Sequence, residues 1–479
     1  MALVSRSGVV AFALLALAAP AVAGPPGTWT QVTNLGSQGV NTDEVSLART
    51  GDGTLHVLWA QDQDNSVLNT RIAADAQSVV GTSTVFTYAG SVGDVVLLPA
   101  PGGLRAFFAG LSAGDPHDGG LSTAVSPDGV TWSVQPTLAS QETSGNEASP
   151  VYAAAGIGGT SFNNGTPLAV WGVASPGTQG YHVGTDPSTP DVRFGAGAVS
   201  VYAPEAATDS ATGQVAIGWT ELDAGETRVA YVQASASPWF PLGAPMTAPG
   251  AQAADGSYPV GMTGRSGGAD GIYVSYLRGD NQFNGEPSVW RIGATSATTL
   301  SRADGRFPGI AMGADGRLWA FWSGEASGAI HARRSDPDAS SWGAPVTVKP
   351  PSGTSSIWSL KGEGTGLACG ALDLVALVSA GDDTANFHQR VLPGLTLEKK
   401  ILNGKMGKKQ KVRFTTSDAG APVDAIVKFG AKQASTGDDG KAKLAIKRKR
   451  KARKVAATAS DDCYNAAKLR VKITKKPAG

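Results

Sequence analysis

The run QVAIGWTE at 214–221, apolar in its middle and closing near an aromatic residue, is one of seven alike. The others are TLHVLWAQ (54–61), GLRAFFAG (103–110), TPLAVWGV (166–173), GIYVSYLR (271–278), RLWAFWSG (317–324) and LDLVALVSA (372–380), the last without the aromatic. From Trp59 to Val378 the mean interval is about 53 residues, close to the ~40–50 of β-propeller blades. Each run reads as one β-strand of a repeated row.

Outward from these runs the pattern repeats. A strand of small residues precedes six of them: EVSLART (44–50), DVVLLPA (94–100), SPVYAAA (149–155), PEAATDS (204–210), YPVGMTG (258–264) and FPGIAMG (307–313). A third strand follows, as in SVLNTRI (66–72) or IHARRS (330–335), and then a fourth opening on an aromatic, as in WSVQP (132–136) and WGAPVTV (342–348). Four antiparallel strands per row make a blade. The last row supplies only IWSLKGE, LDLVALV and FHQRVLP, while TWTQVTNLG (28–36) has the fourth-strand pattern. The expected fold is all-β: a seven-bladed propeller, alternatively six-bladed, closed by its N-terminal strand, which leaves no open edges.

Composition agrees with that class. The chain has 479 residues, 41% hydrophobic and 16% charged, with 63 Gly for tight turns, which excludes disorder and a helical bundle. Residues 1–23 carry Arg6, an apolar run and Ala21-Val22-Ala23, the features of a cleaved secretory signal. The expected divisions are 1–23, signal; 24–394, propeller; and 395–479, a small β-sandwich. The protein is expected outside the cytoplasm, secreted or at the cell surface, as a monomer. Cys369 and Cys463 are the two cysteines; an exported chain favours a bridge between them, and two buried thiols are the alternative.

Charge is divided. Residues 395–479 hold 23 Lys and Arg against 7 Asp and Glu, whereas the whole chain is +1. The run Lys447, Arg448, Lys449, Arg450, Lys451, Ala452, Arg453, Lys454 suits an anionic cell-envelope polymer or lipid headgroups, and nucleic acid only through its phosphates, without sequence preference. A solvated hairpin end and docking on the acidic body are the other readings.

A propeller places ligands at the channel mouth, where first strands begin and second strands end. Asp43, Glu44, Glu147, Glu205, Tyr258, Arg306 and Trp358 precede or open first strands; Asp62, Glu221, Asp223 and Arg278 follow or end second strands. Acidic groups with scattered aromatics and two arginines suit a glycan or another polar ligand, against the alternative of a solvated rim. The five histidines show no metal spacing, and Asp62-x-Asp64-x-Ser66 lacks the glutamate of a calcium loop, so no cofactor or metal is expected. No nucleophile elbow or phosphate loop is present.

SPDGVTW (126–132) resembles the Asp-box of the sialidase-like (BNR-repeat) propellers, with Ser126, Asp128, Gly129, Thr131 and Trp132 in place and one residue missing between Asp128 and Gly129. SDPDASSW (335–342) has full length, but Pro337 and Ala339 stand where the box has Asp and Gly. The resemblance implies a structural turn away from the ligand face. RFPGIAMGADGRLWAF (306–321) is similar to the arginine segment of sialidases, which implies, as an alternative to binding alone, exo-glycosidase chemistry carried by Arg306 and Arg278, with Tyr258, Glu221 and Glu205. A third arginine at a strand end is missing, so a non-catalytic binding protein is the first expectation and an envelope scaffold the third. GAPVDAIVKFGAKQASTGDDGKAKLAI (420–446) resembles bacterial Ig-like domains, implying a small sandwich for the tail.

Overall fold

A computed structural model describes residues 27–33, 45–61, 64–90, 92–111, 119–140, 156–173, 180–184, 192–194, 201–221, 226–232, 241–250, 260–265, 271–279, 285–303, 305–324, 328–380, 383–402, 409–449 and 451–474. The leader at 1–23 lies outside the described residues.

The seven apolar runs are strands. Leu55–Gln61, Gly103–Leu111, Pro167–Val173, Val215–Glu221, Ile272–Arg278, Leu318–Gly324 and Leu372–Ala380 each hold second place in a four-stranded antiparallel sheet. Leu55–Gln61 is buried along its whole length, whereas the fourth strand of the same sheet, Val79–Thr87, alternates half-buried and exposed. The difference follows from covering: inner strands carry a neighbouring sheet on both faces, and outer strands reach solvent on one.

Alternation then distributes one strand between two cores. Leu58 and Ala60 join Val95, Leu97 and Phe108 of the next sheet, while Leu55, Val57 and Trp59 join Val32 and Val375 of the last one. Every consecutive pair of sheets shares such a core. The aromatic that marks each run, Trp59, Phe108, Trp171, Trp219, Tyr276 or Trp322, is buried in one of them. Full burial of a side chain of this size contributes about 2–3 kcal/mol.

The first strands line the middle. Val45–Arg49 lies against Val92–Ala100, which lies against Ile157–Ser161, and the series continues through Val201–Thr208, Gly261–Gly264, Gly305–Met312 and Ser356–Glu363. Ser356–Glu363 in turn lies against Val45–Arg49. In the last sheet Thr30–Gln31 pairs antiparallel with Asp383–Val391, setting Thr30 opposite His388, and Thr33 Oγ1 accepts the Asn386 N–H at 3.0 Å.

One expected strand moves. SPVYAAA (149–155) lies outside the described residues, and the strand that pairs with Pro167–Val173 is Ile157–Ser161. The reason is the tight turn between them: Gly165, at φ +80°, donates its N–H to Phe162 O at 2.8 Å, which sets Ser161 opposite Pro167 and so draws the partner from the residues just before the turn.

Beyond Pro393, two more four-stranded sheets share a single core of Val412, Phe414, Val427, Phe429, Ala457 and Val471, among others. In Lys409–Asp418 the even positions face inward, and the last of them is Asp418, buried against the sheets of the body rather than in the tail's own core. There its Oδ2 lies 2.8 Å from both Arg317 Nη1 and Arg334 Nη1. Nearby, Cys369 and Cys463 form a disulfide with Cα atoms 4.9 Å apart, joining the turn before Leu372–Ala380 to the turn before Tyr464–Ile473.

Candidate functional site

The first strands enclose a central cavity of about 190 Å³ whose walls include Leu47, Val96, Ile157, Met262 and Ile310. Small residues are required here: a Cβ on Gly309 or on Gly362 would run into the ring of Phe321. Two charged side chains enter this space. Lys361, from Ser356–Glu363, places Nζ 3.1 Å from Glu205 Oε1, from Val201–Thr208, with both side chains about one-fifth exposed. Burying either charge alone would be costly, and the pair offsets that cost.

On the side where first strands begin, Trp358 is 48% exposed and donates its indole N–H to Ser379 Oγ at 2.6 Å. A register shift between Ile357 and Ser359 interrupts the pairing at this residue and leaves Trp358 without a partner opposite. Arg306 opens Gly305–Met312 opposite Ser323 and is half-buried. Arg278 ends its strand, but its Nη1 donates to Thr299 Oγ1 at 3.1 Å on the outermost strand of the same sheet, so the guanidinium points outward and does not join Arg306. Glu221 sits opposite Val201 and three positions beyond Gly218, the residue facing Glu205. Asp43, Glu44, Asp62, Glu147, Asp223 and Tyr258 lie outside the described residues.

The opposite side carries a denser polar centre that the sequence reading did not single out. Asp373 is fully buried; Arg49 Nη2 reaches its Oδ2 at 2.5 Å, Arg390 donates to both carboxylate oxygens at 2.9 and 2.8 Å, and His388 Nε2 stands 3.0 Å from Oδ1. Burial raises the Asp373 carboxyl, but His388 and Arg390 outweigh it and hold the group well below the usual carboxylate range. Glu363, 2.9 Å from Arg49, goes the other way because its burial exceeds what Arg49 returns. A charge two residues into an apolar strand, LDLVALVSA, was the available signal, since a buried carboxylate demands donors. His388 and Arg390, alternating on one face of Asp383–Val391, supply them.

The turn at 126–132 is also on this side. Asp128 Oδ1 accepts the N–H groups of Val130 and Thr131 at 2.8 and 2.9 Å, Ser126 Oγ accepts that of Gly129 at 2.8 Å, and Gly129 has φ +69°. The N–H groups of Thr131 and Val130 lower the Asp128 carboxyl from its ordinary value. Trp132 packs on the core between the first two sheets. Beneath Gly129 lies His56, which burial pushes down to about 4. In the second turn Asp336 accepts from Ser340 and Ser341, and Ala339 takes φ +53° where the motif has glycine.

In the run Asp62-x-Asp64-x-Ser66, Asp64 accepts the Gln61 amide N–H at 2.9 Å. Among the described residues no three His, Cys, Asp or Glu side chains gather as metal ligands. In the run from Lys447 to Lys454 the described lysines are exposed, Arg448 and Arg453 are half-buried, and Arg450 lies outside the described residues.

No protein-family model matches this chain, and no curated protein matches it. Solved structures with a similar arrangement include the Hadza microbial sialidase Hz136, at 11% identity over 73% of this chain and a TM-score of 0.42; the chain spans about 65% of that protein's length. The polysaccharide lyase Uly1 aligns at 11% identity over 74% of this chain and 90% of its own, with a TM-score of 0.40. The GH93 α-L-arabinofuranosidase of Fusarium graminearum, complexed with arabinobiose, aligns at 11% identity over 61% and 92%, with a TM-score of 0.38.

Proposed function

We propose that residues 24–394 form a seven-bladed β-propeller closed by its N-terminal strand, and that its mouth binds a glycan without cleaving it. The ring of first strands, with Ser356–Glu363 returning to Val45–Arg49, supports the architecture. Residues 395–479 form a small Ig-like sandwich that attaches the protein to anionic polymers, and the disulfide suits an exported chain in an oxidising compartment.

The observation that carries the binding reading is Trp358. An indole with its N–H already satisfied and its ring half exposed, two residues before Leu360 of the cavity wall, is a platform on which the apolar face of a sugar stacks. Arg306, half-buried at the start of the neighbouring first strand, adds a positive charge on the same side. The non-catalytic reading rests on Glu205 and Arg278. Hydrolysis by paired carboxylates needs two of them ~5–9.5 Å apart across the sugar. Glu205 is engaged by Lys361 instead, and Arg278 by Thr299.

Glycan-array binding of the full chain, alone and as Trp358→Ala, tests the reading. A retained glycan lost in the variant supports it; retention that ignores Trp358 moves the site elsewhere. Fluorogenic sialosides and other glycosides, turned over by the native protein and not by Arg306→Ala, would replace it with the glycosidase.

A further inference from the structure

The tail sheet built from Thr396–Leu402, Lys409–Asp418 and Lys441–Lys447 buries Gln410, Val412, Phe414 and Thr416 on one side, so period two sends Lys409, Lys411 and Arg413 to the other. Register then lines up cations from three strands. Lys400, Arg413 and Lys443 stand directly opposite one another, and Lys409 stands opposite Lys447. Glu398 is the one carboxylate at the outward positions of these strands. Among the described residues, Lys441 is the one lysine of this face with a carboxylate within 4 Å, Asp439 of the adjoining turn at 3.4 Å.

Like charges directly opposite each other weaken a sheet. A surface shaped for solubility mixes its signs; here the same sign is stacked across three strands, an arrangement that an anion laid across the rows would relieve. Neighbouring strands are ~4.8 Å apart and alternate residues along a strand ~6.7 Å, so the rows form a flat grid of positive charge. Its outward apolar members, Leu402 and Ala445, are half-buried, leaving no large side chain to enter a bilayer. None of its outward residues is aromatic, so bases have nothing to stack on.

We propose that this face is where the tail holds a linear acidic polysaccharide, with Lys400, Arg413 and Lys443 as the central row. The proposal rests on the attachment role given to the tail above and assigns it to a sheet face rather than to the basic run at 448–454.

The test uses the full chain, immobilised heparin as the probe, and anionic vesicles in parallel. Lys400→Gln/Arg413→Gln/Lys443→Gln is expected to lose at least tenfold in heparin affinity at fixed salt, with a thermal midpoint equal to or above that of the native protein because the opposed charges are gone. Lys449→Gln/Lys451→Gln/Lys454→Gln is expected to stay within about twofold of native affinity. If the second variant loses heparin and the first does not, the face is wrong while attachment stands. If the native chain is not retained at all, both fail. A lower midpoint in the first variant, or binding to vesicles in preference to heparin, also overturns the assignment.

Discussion

Lys361 Nζ lies 3.1 Å from Glu205 Oε1, an ion pair that joins the fourth and seventh sheets across the central cavity. Residues 156 positions apart thereby neutralise each other inside the ring of first strands. Lys361→Met is expected to destabilise the protein by about 1–3 kcal/mol, because it removes the cation 3.1 Å from a partly buried carboxylate. Glu205→Gln/Lys361→Met is expected to recover part of that loss. Denaturant midpoints of the two variants check it; equal losses would mean the pair contributes nothing.

His56 gives a pH signature. Burial holds its folded value near 4, below the ~6.5 of an exposed histidine. As pH falls the unfolded chain takes the proton first, so protons favour unfolding; the contribution is complete above about pH 6.5 and is lost as pH falls toward 4. A loss on the order of 2–3 kcal/mol is expected over that window. His56→Gln should flatten the slope of unfolding free energy between pH 7 and 4, and an unchanged slope would place the titration elsewhere.

The tail is fastened twice, by Cys369–Cys463 and by Asp418 with Arg317 and Arg334. A bridge over a sequence separation of 94 contributes up to about 4–5 kcal/mol in the chain-entropy account. Asp418→Asn is expected to cost about 3–5 kcal/mol, since it takes the anion from buried Arg317 and leaves Arg334 with Asp315 as its carboxylate. Under reducing conditions Asp418→Asn should release the tail to limited proteolysis near Pro393, while either change alone should not.

Ala339 occupies a left-handed conformation, φ +53°, in the turn after Ile330–Arg334, a position that favours glycine. The strain of an L-residue there is about 1 kcal/mol. Ala339→Gly is therefore expected to raise stability by up to that amount, read as a higher thermal midpoint; a fall would mean that its packing against the core beside Trp342 outweighs the strain.

Much of the sheet order was legible because each row repeats one chemical rule. A doubly covered strand must be apolar throughout, so QVAIGWTE and its six relatives announce the second position of every sheet. The site was less legible. Arg278 and Arg306 both stand at strand ends, and only the rotamer that carries Arg278 out to Thr299 separates them. Lys361 was read as part of a strand, IWSLKGE, since nothing local says that Glu205 will face it across the ring. Asp373 depends on Arg49, more than three hundred residues earlier, a distance no periodicity spans.

We propose that the mouth beside Trp358 holds a glycan and leaves it intact. The most direct measurement incubates the full chain with a defined glycan panel and follows retention and product mass together. At least one glycan is expected to be retained with its mass unchanged, and that retention to be abolished in Trp358→Ala with folding preserved. A shortened product that appears with the native chain and disappears with Arg306→Ala would contradict it.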